Sequence, residues 1–115
     1  MLRIGTIVIN VSERPRAAAF WSGALGYAPR GDWSAKDESA VLVAPRSEAP
    51  GITLDEDDHM HLDLHVDSLE ELTAEVERLV SLGAKRVDWP YPDGARFVVL
   101  ADTEDNLFCV VNAGG

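Results

Sequence analysis

The alternation of apolar and polar positions divides the chain into strand and helix segments, and it does so twice. Across Arg3–Val11, Ile7, Ile9 and Val11 alternate with Thr6, Val8 and Asn10, which predicts a strand with one apolar and one mixed face. The period then changes. Over roughly Glu13–Leu25, Ala17, Phe20, Trp21, Ala24 and Leu25 fall at i, i+3, i+4, i+7 and i+8, a single helical stripe that should be buried, with Phe20 and Trp21 in the core. Ser12 is the expected N-cap, and Pro15 is tolerated in the first turn, where the missing N–H has no helical partner. Gly26 is the expected stop, because glycine accepts the left-handed conformation after a helix. Tyr27–Trp33, Ser39–Ala44 and Gly51–Asp55 read as short strands separated by charged or Pro/Gly-bearing turns.

The second half repeats the scheme. Met60–Val66 alternates strictly, with Met60, Leu62, Leu64 and Val66 on one face and His61, Asp63 and His65 on the other. Ser68 and Glu71 form a capping box, and Leu69, Leu72, Val76, Leu79 and Val80 make the buried stripe of a helix that Gly83 ends. Lys85–Trp89, Arg96–Ala101 and Leu107–Val111 are strands, and Asp102–Asn106 is a hairpin loop of turn formers. The segments 6–26 and 61–83 are thus copies of one unit, and Asp32-Trp33 and Asp88-Trp89 follow at matching points. The expected fold class is α+β: two tandem β-α-β-β-β modules, 1–58 and 59–115, forming a cleft between curved mixed sheets. Polar side chains on an inner strand face are then the natural ligand contacts.

The chain has 115 residues, enough for one domain or for two small modules that share a core. Its net charge of −10, with ten scattered Lys and Arg, argues against nucleic acid and against anionic membrane surfaces as partners. No apolar run approaches the ~20 residues of a membrane span. The opening Met-Leu-Arg-Ile-Gly does not read as a signal peptide, and Cys109 is the single cysteine. The expectation is a reduced, cytoplasmic protein.

The residues that carry chemistry are few. His61 and Asp63 lie two apart on one strand face, with bases ~7 Å apart, so both could touch one ion; His65 is ~13 Å from His61, too far to join it. A mixed set of His61, Asp55 and Cys109 would suit Zn²⁺, whereas the alternative for His61 is a hydrogen-bonded, pocket-lining histidine. Cys109, between apolar neighbours, reads as a core thiol or as a ligand. Trp33 and Trp89 could clamp a flat ligand or pack a rim. Tyr91, between Pro90 and Pro92, is a rim or turn residue, and His59 lies in an acidic connector.

The doubled plan, together with Ala19-Phe20-Trp21…Leu25-Gly26-Tyr27, His61-Leu62-Asp63-Leu64-His65-Val66-Asp67 and Ala101-Asp102-Thr103-Glu104-Asp105-Asn106-Leu107-Phe108, resembles the vicinal oxygen chelate superfamily, and within it the glyoxalase-like subgroup. Glyoxalase I, extradiol dioxygenases and the bleomycin and fosfomycin resistance proteins belong to that superfamily. The resemblance implies up to four metal ligands from the first and fourth strands of each module. It puts them at His61, at Cys109 where the metalloenzymes carry Glu, at Thr6, and at Thr53 or Asp55. It also implies a Gly where the last hairpin has Asp105.

The function expected from the resemblance is binding of a small molecule in the cleft, without a full metal site and with no cofactor. His61, Asp63 and His65 would supply polar contacts, Thr6, Asn10 and Cys109 would line the opposite strands, and Trp33 and Trp89 would be aromatic walls. The alternatives are a divergent metal-dependent lyase or dioxygenase, with His61, Asp55 and Cys109 as ligands, and an antibiotic-sequestering protein. A homodimer is implied by the way the family pairs modules.

Overall fold

The structure, a computed structural model, describes residues 2–30, 39–45 and 49–114. Among them are eight strands and two helices: β1 (Arg3–Asn10), α1 (Arg14–Leu25), β2 (Ala28–Pro29), β3 (Ser39–Val43), β4 (Gly51–Asp55), β5 (His61–Val66), α2 (Leu69–Ser81), β6 (Lys85–Arg86), β7 (Phe97–Ala101) and β8 (Leu107–Asn112). The fold is α+β. Among the described residues, no helix is long and apolar enough to cross a membrane. The chain forms two compact units, a first of Thr6–Met60 and a second of Met1–Gly5 with His61–Gly115.

The first unit orders its strands β2-β3-β4-β1, and the second orders them β6-β7-β8-β5. In each, the first strand is parallel to the fourth and the other pairs are antiparallel. The registers coincide as well. Val8 faces Thr53 in the first unit as Asp63 faces Cys109 in the second, and Asn10 faces Asp55 as His65 faces Val111. The repeat seen in the apolar pattern therefore extends to individual residue pairs.

Each unit packs its helix on its own sheet. Ala18 of α1 joins Leu42, Ile52 and Leu54, with Ile9, Val11, Ala17, Trp21 and Tyr27 around them. Leu72 and Val76 of α2 join Val66, Leu100 and Val110, with Leu2, Leu79, Ala84, Val98 and Phe108 around them. Leu42 and Leu100, each with no exposed surface, occupy matching strand positions opposite Ile52 and Phe108.

The helix starts differ. At α2 the Ser68 hydroxyl accepts from the Glu71 N–H at 3.0 Å, as expected, and the Glu71 carboxylate accepts from the Asp67 N–H at 2.8 Å, one residue earlier than in the standard box. At α1 the cap position is Glu13, not Ser12, and no side chain caps it. The Ser12 hydroxyl instead accepts from the Arg16 guanidinium at 3.1 Å. Pro15 in the first turn already removes one of the N–H groups that a cap would serve. Both helices end as the glycines predict. Gly26 sits at φ 72° with its N–H on the Ser22 carbonyl, and Gly83 at φ 119° follows Leu82.

The expected stripes are corrected at their edges. Phe20 is 63% exposed and stacks edge-on against Trp21, with centroids 5.1 Å apart. Helix α1 turns its small residues inward, so Ala18 rather than Phe20 meets the sheet. Leu69, the first residue of α2, is 65% exposed, and the buried face of the helix is carried by Leu72 and Val76. Strand β6 is two residues long, shorter than the Lys85–Trp89 predicted; of the predicted Tyr27–Trp33, Ala28–Pro29 form β2, and residues 31–33 lie outside the described residues. The last hairpin carries Asp105 at φ 64°, where the resemblance implied glycine. Asp102 braces it, its carboxylate accepting from the Glu104 and Asn106 N–H groups and from the Asn106 side chain.

Candidate functional site

The alternation of β5 sends Val66 into the core with α2 and leaves His61, Asp63 and His65 on the opposite face, beside Cys109 of β8. The parallel register sets Asp63 directly across from Cys109, with His61 two residues before Asp63 on the same face. His61 Nε2 lies 3.2 Å from Asp63 Oδ1, and Asp63 also shares a hydrogen bond with Cys109. One donor atom from each of His61, Asp63 and Cys109 lies within 4.8 Å of the other two. The His61 side chain is 8% exposed and that of Asp63 24%. Burial raises the Asp63 carboxyl above its ordinary pKa; His61, His65 and Cys109 pull in the other direction through charge and hydrogen bonding.

His65 ends this row. Its ring lies over Gly5 of β1, so closely that a Cβ on Gly5 would overlap the imidazole. A lone Gly inside the Arg3–Val11 strand pattern was the sequence signal for such a close approach. An open cavity of about 350 Å³ lies farther along the same unit, lined by Tyr91, Phe97 and Val99 among others. Val99 pairs with Cys109, so the cavity adjoins the Asp63–Cys109 pair through one step of the β7–β8 ladder. The Tyr91 hydroxyl accepts from the Val99 N–H at 2.8 Å and its ring tilts against Phe97 at 5.5 Å, which fixes the turn that Pro90 and Pro92 bracket. Trp89 is half-buried at the start of this turn, and its carbonyl accepts from the Tyr91 N–H. Phe97 and Val99 were not singled out from sequence, because on pattern alone they are ordinary strand hydrophobes.

The first-unit candidates are engaged among themselves. The Thr53 hydroxyl donates to that of Thr6 at 3.1 Å, and Thr6 is buried. By register these two are the counterparts of Cys109 and His61, so Thr53, not Asp55, occupies the matching fourth-strand position. Asp55 caps the following turn, its Oδ1 accepting from the Asp57 and Asp58 N–H groups. Asn10 ties down the same turn by donating to the Asp58 carbonyl at 2.7 Å. His59 sits in it beside Asp58, with its ring largely exposed. Trp33 lies outside the described residues.

The donors of the second unit fit a metal ion. Imidazole nitrogen, carboxylate oxygen and thiolate sulfur are all ordinary Zn²⁺ ligands, and the 3.2 Å between His61 and Asp63 is close to the ~3.4 Å edge of a tetrahedral site with ~2.1 Å bonds. The threonine pair of the first unit offers only neutral hydroxyls, already bonded to each other.

Several solved structures share the fold. A chain described as NAD-dependent benzaldehyde dehydrogenase from Legionella pneumophila superposes with a TM-score of 0.67 at 14% identity, over 92% of this chain and 96% of that one. Methylmalonyl-CoA epimerase from Mycobacterium tuberculosis gives 0.59 at 18% identity, over 94% and 85%. The Mn(II)-bound glyoxalase from Novosphingobium aromaticivorans gives 0.61 at 19% identity, over 98% of this chain but 39% of that one. No curated protein matches the chain in sequence. Residues 6–111 match the glyoxalase-like domain. With the β-α-β-β-β unit present twice in matching register, and this match spanning both copies, the chain belongs to the glyoxalase-like domain family of the vicinal oxygen chelate superfamily.

Proposed function

We propose that the chain binds a small molecule against the polar strand face of its second unit, and that it does so without the four-ligand metal set the superfamily resemblance implies. The observation that carries this reading is the half-buried row of His61, Asp63 and Cys109 on neighbouring strands, where a purely structural face would hold hydrophobes. Asp63 offers carboxyl oxygens to a ligand, and the imidazoles of His61 and His65 can donate or accept. Tyr91, Phe97 and Val99 supply adjoining apolar surface, with Trp89 as a wall. Thr6 and Asn10, whose polar groups are already hydrogen-bonded, are not assigned to the ligand. The acidic charge of −10 disfavours nucleic acid, and a homodimer belongs to the same proposal, readable by sedimentation velocity.

The test is histidine NMR during titration with a library of small oxygen-rich and aromatic compounds. A true ligand shifts the imidazole resonances of His61 and His65, and His61→Ala weakens it at least tenfold. Ligands that leave both resonances unmoved, or that bind H61A with full affinity, contradict the site.

A second reading is a metal-dependent enzyme, a lyase or a dioxygenase, favoured by the fit of His61, Asp63 and Cys109 to a cation. A divalent ion there would act as a Lewis acid on a substrate oxygen. Ligand binding that is indifferent to a strong chelator excludes the ion from recognition.

A further inference from the structure

We infer that the cavity at the edge of β7 takes the carboxylate of a small aromatic acid, held by the Arg86 guanidinium and the Tyr91 hydroxyl. The inference names the chemistry of a molecule whose apolar part the reading above seats on Tyr91, Phe97 and Val99, and it rests on that reading only to this extent. Among the described residues that line the cavity, Arg86 is the only charged one, and the Tyr91 hydroxyl is the only other polar side-chain group. Arg86 also stands apart from the cations elsewhere in the chain. Arg3, Arg14, Arg16, Arg78 and Lys85 are in ion pairs, and Arg96 donates to the Gly114 carbonyl. The Arg86 guanidinium has no such partner among the described residues, although the chain carries twenty acidic side chains.

The strand edge sets both donors. β6 pairs with β7 only at Leu100 and Ala101, and past them the Val99 N–H turns to the Tyr91 oxygen at 2.8 Å instead of to a strand. That oxygen accepts, so the phenolic proton is left to donate, and no described residue accepts it. Tyr91 is held in place by its N–H on the Trp89 carbonyl and by its ring against Phe97. Arg86 is held by the ladder opposite Leu100, whose side chain is fully buried. Both donors therefore stand on backbone that is set before a ligand arrives. Their chemistry selects the acid. One guanidinium balances one negative charge, and its fork matches a planar carboxylate. A phosphate dianion would keep uncompensated charge beside a protein of net charge −10. The rest of the wall, Phe97 and the buried Val99 among it, favours a ring over a hydrated body, and about 350 Å³ is room for a ring with a short acid arm.

Phenylacetate, its neutral amide phenylacetamide and inorganic phosphate test this on the whole chain, read by nitrogen–proton NMR. Phenylacetate should shift the Arg86 Nε–H and, through the Tyr91 hydroxyl, the Val99 amide, with a Kd of about 1 mM, the range open to so small a ligand. Phenylacetamide and phosphate should each bind at least tenfold more weakly. Arg86→Gln should weaken phenylacetate at least tenfold and Tyr91→Phe about threefold, while Arg78→Gln on α2 leaves it unchanged, with circular dichroism confirming that each variant is folded. No shift at Arg86 and Val99, equal affinity for the amide, tighter binding of phosphate, or full affinity in R86Q or Y91F would each overturn the inference. Compounds that move His61 and His65 while no acid moves Arg86 refute the carboxylate site alone; phenylacetate that moves Arg86 and Val99 while no compound moves the two histidines refutes only the proposed function.

Discussion

Gly5 has no side chain where the His65 imidazole lies, and the consequence is measurable. A methyl group at this position must displace the ring or bend β1, so Gly5→Ala is expected to destabilise the chain by ~1–3 kcal/mol in urea denaturation. The G5A/H65A double variant should recover most of that loss, because the obstacle is the ring itself. A cost that persists in the double variant would show that the glycine serves the backbone instead. The Thr6–Thr53 pair behaves in the opposite sense. Thr6→Val alone strands the Thr53 hydroxyl and should cost ~1–3 kcal/mol, whereas replacing both with valine should be close to neutral, a non-additivity that a double-mutant cycle reads directly. At this scale the sequence singled out His61 and Cys109 through their residue types. It did not join Asp63 to Cys109, because nothing local says which residues of β8 lie opposite β5.

At the level of elements, the hairpin between β7 and β8 is held by a carboxylate doing the work of a glycine turn. Hydrogen bonds from Asn106, and from the Glu104 N–H, hold the Asp102 carboxyl below its ordinary pKa. The Arg3 guanidinium, at 2.9 Å, does the same for Asp67 at the end of β5. A carboxylate whose folded-state pKa lies below its unfolded value adds stability that is complete above the unfolded pKa of about 3.9 and is lost as pH falls through the folded value. The urea midpoint should therefore drop between about pH 5 and pH 2, and Asp102→Ala should be less stable at pH 7 yet fall less over that interval. An acid limb of equal depth in the variant would remove Asp102 from the account. Caps show what an element reveals of itself. Ser68 and Gly83 were legible because capping acts within one turn, whereas Ser12 was misassigned because a proline and an arginine nearby changed what its hydroxyl could do.

For the whole molecule, the doubling makes quantitative claims. Leu42 and Leu100 fill matching positions with no exposed surface, so Leu42→Ala and Leu100→Ala should each cost ~2–5 kcal/mol, and by similar amounts, in chemical denaturation. A large disparity would mean that the two cores differ in their capacity to relax, despite equivalent topology. The sequence pattern alone established two β-α-β-β-β units, the glycine stops of their helices and the polar row on β5, because periodicity and turn chemistry act over a few neighbouring residues. It could not establish which helical face meets the sheet, and so it buried Phe20. Nor could it establish that Thr53 rather than Asp55 matches Cys109, or that Asp63 completes a set of three donors. Those outcomes depend on strand register and helix rotation, which join residues distant in the chain and are fixed only when both partners are packed; a slip of one residue would turn every side chain of a strand to its other face.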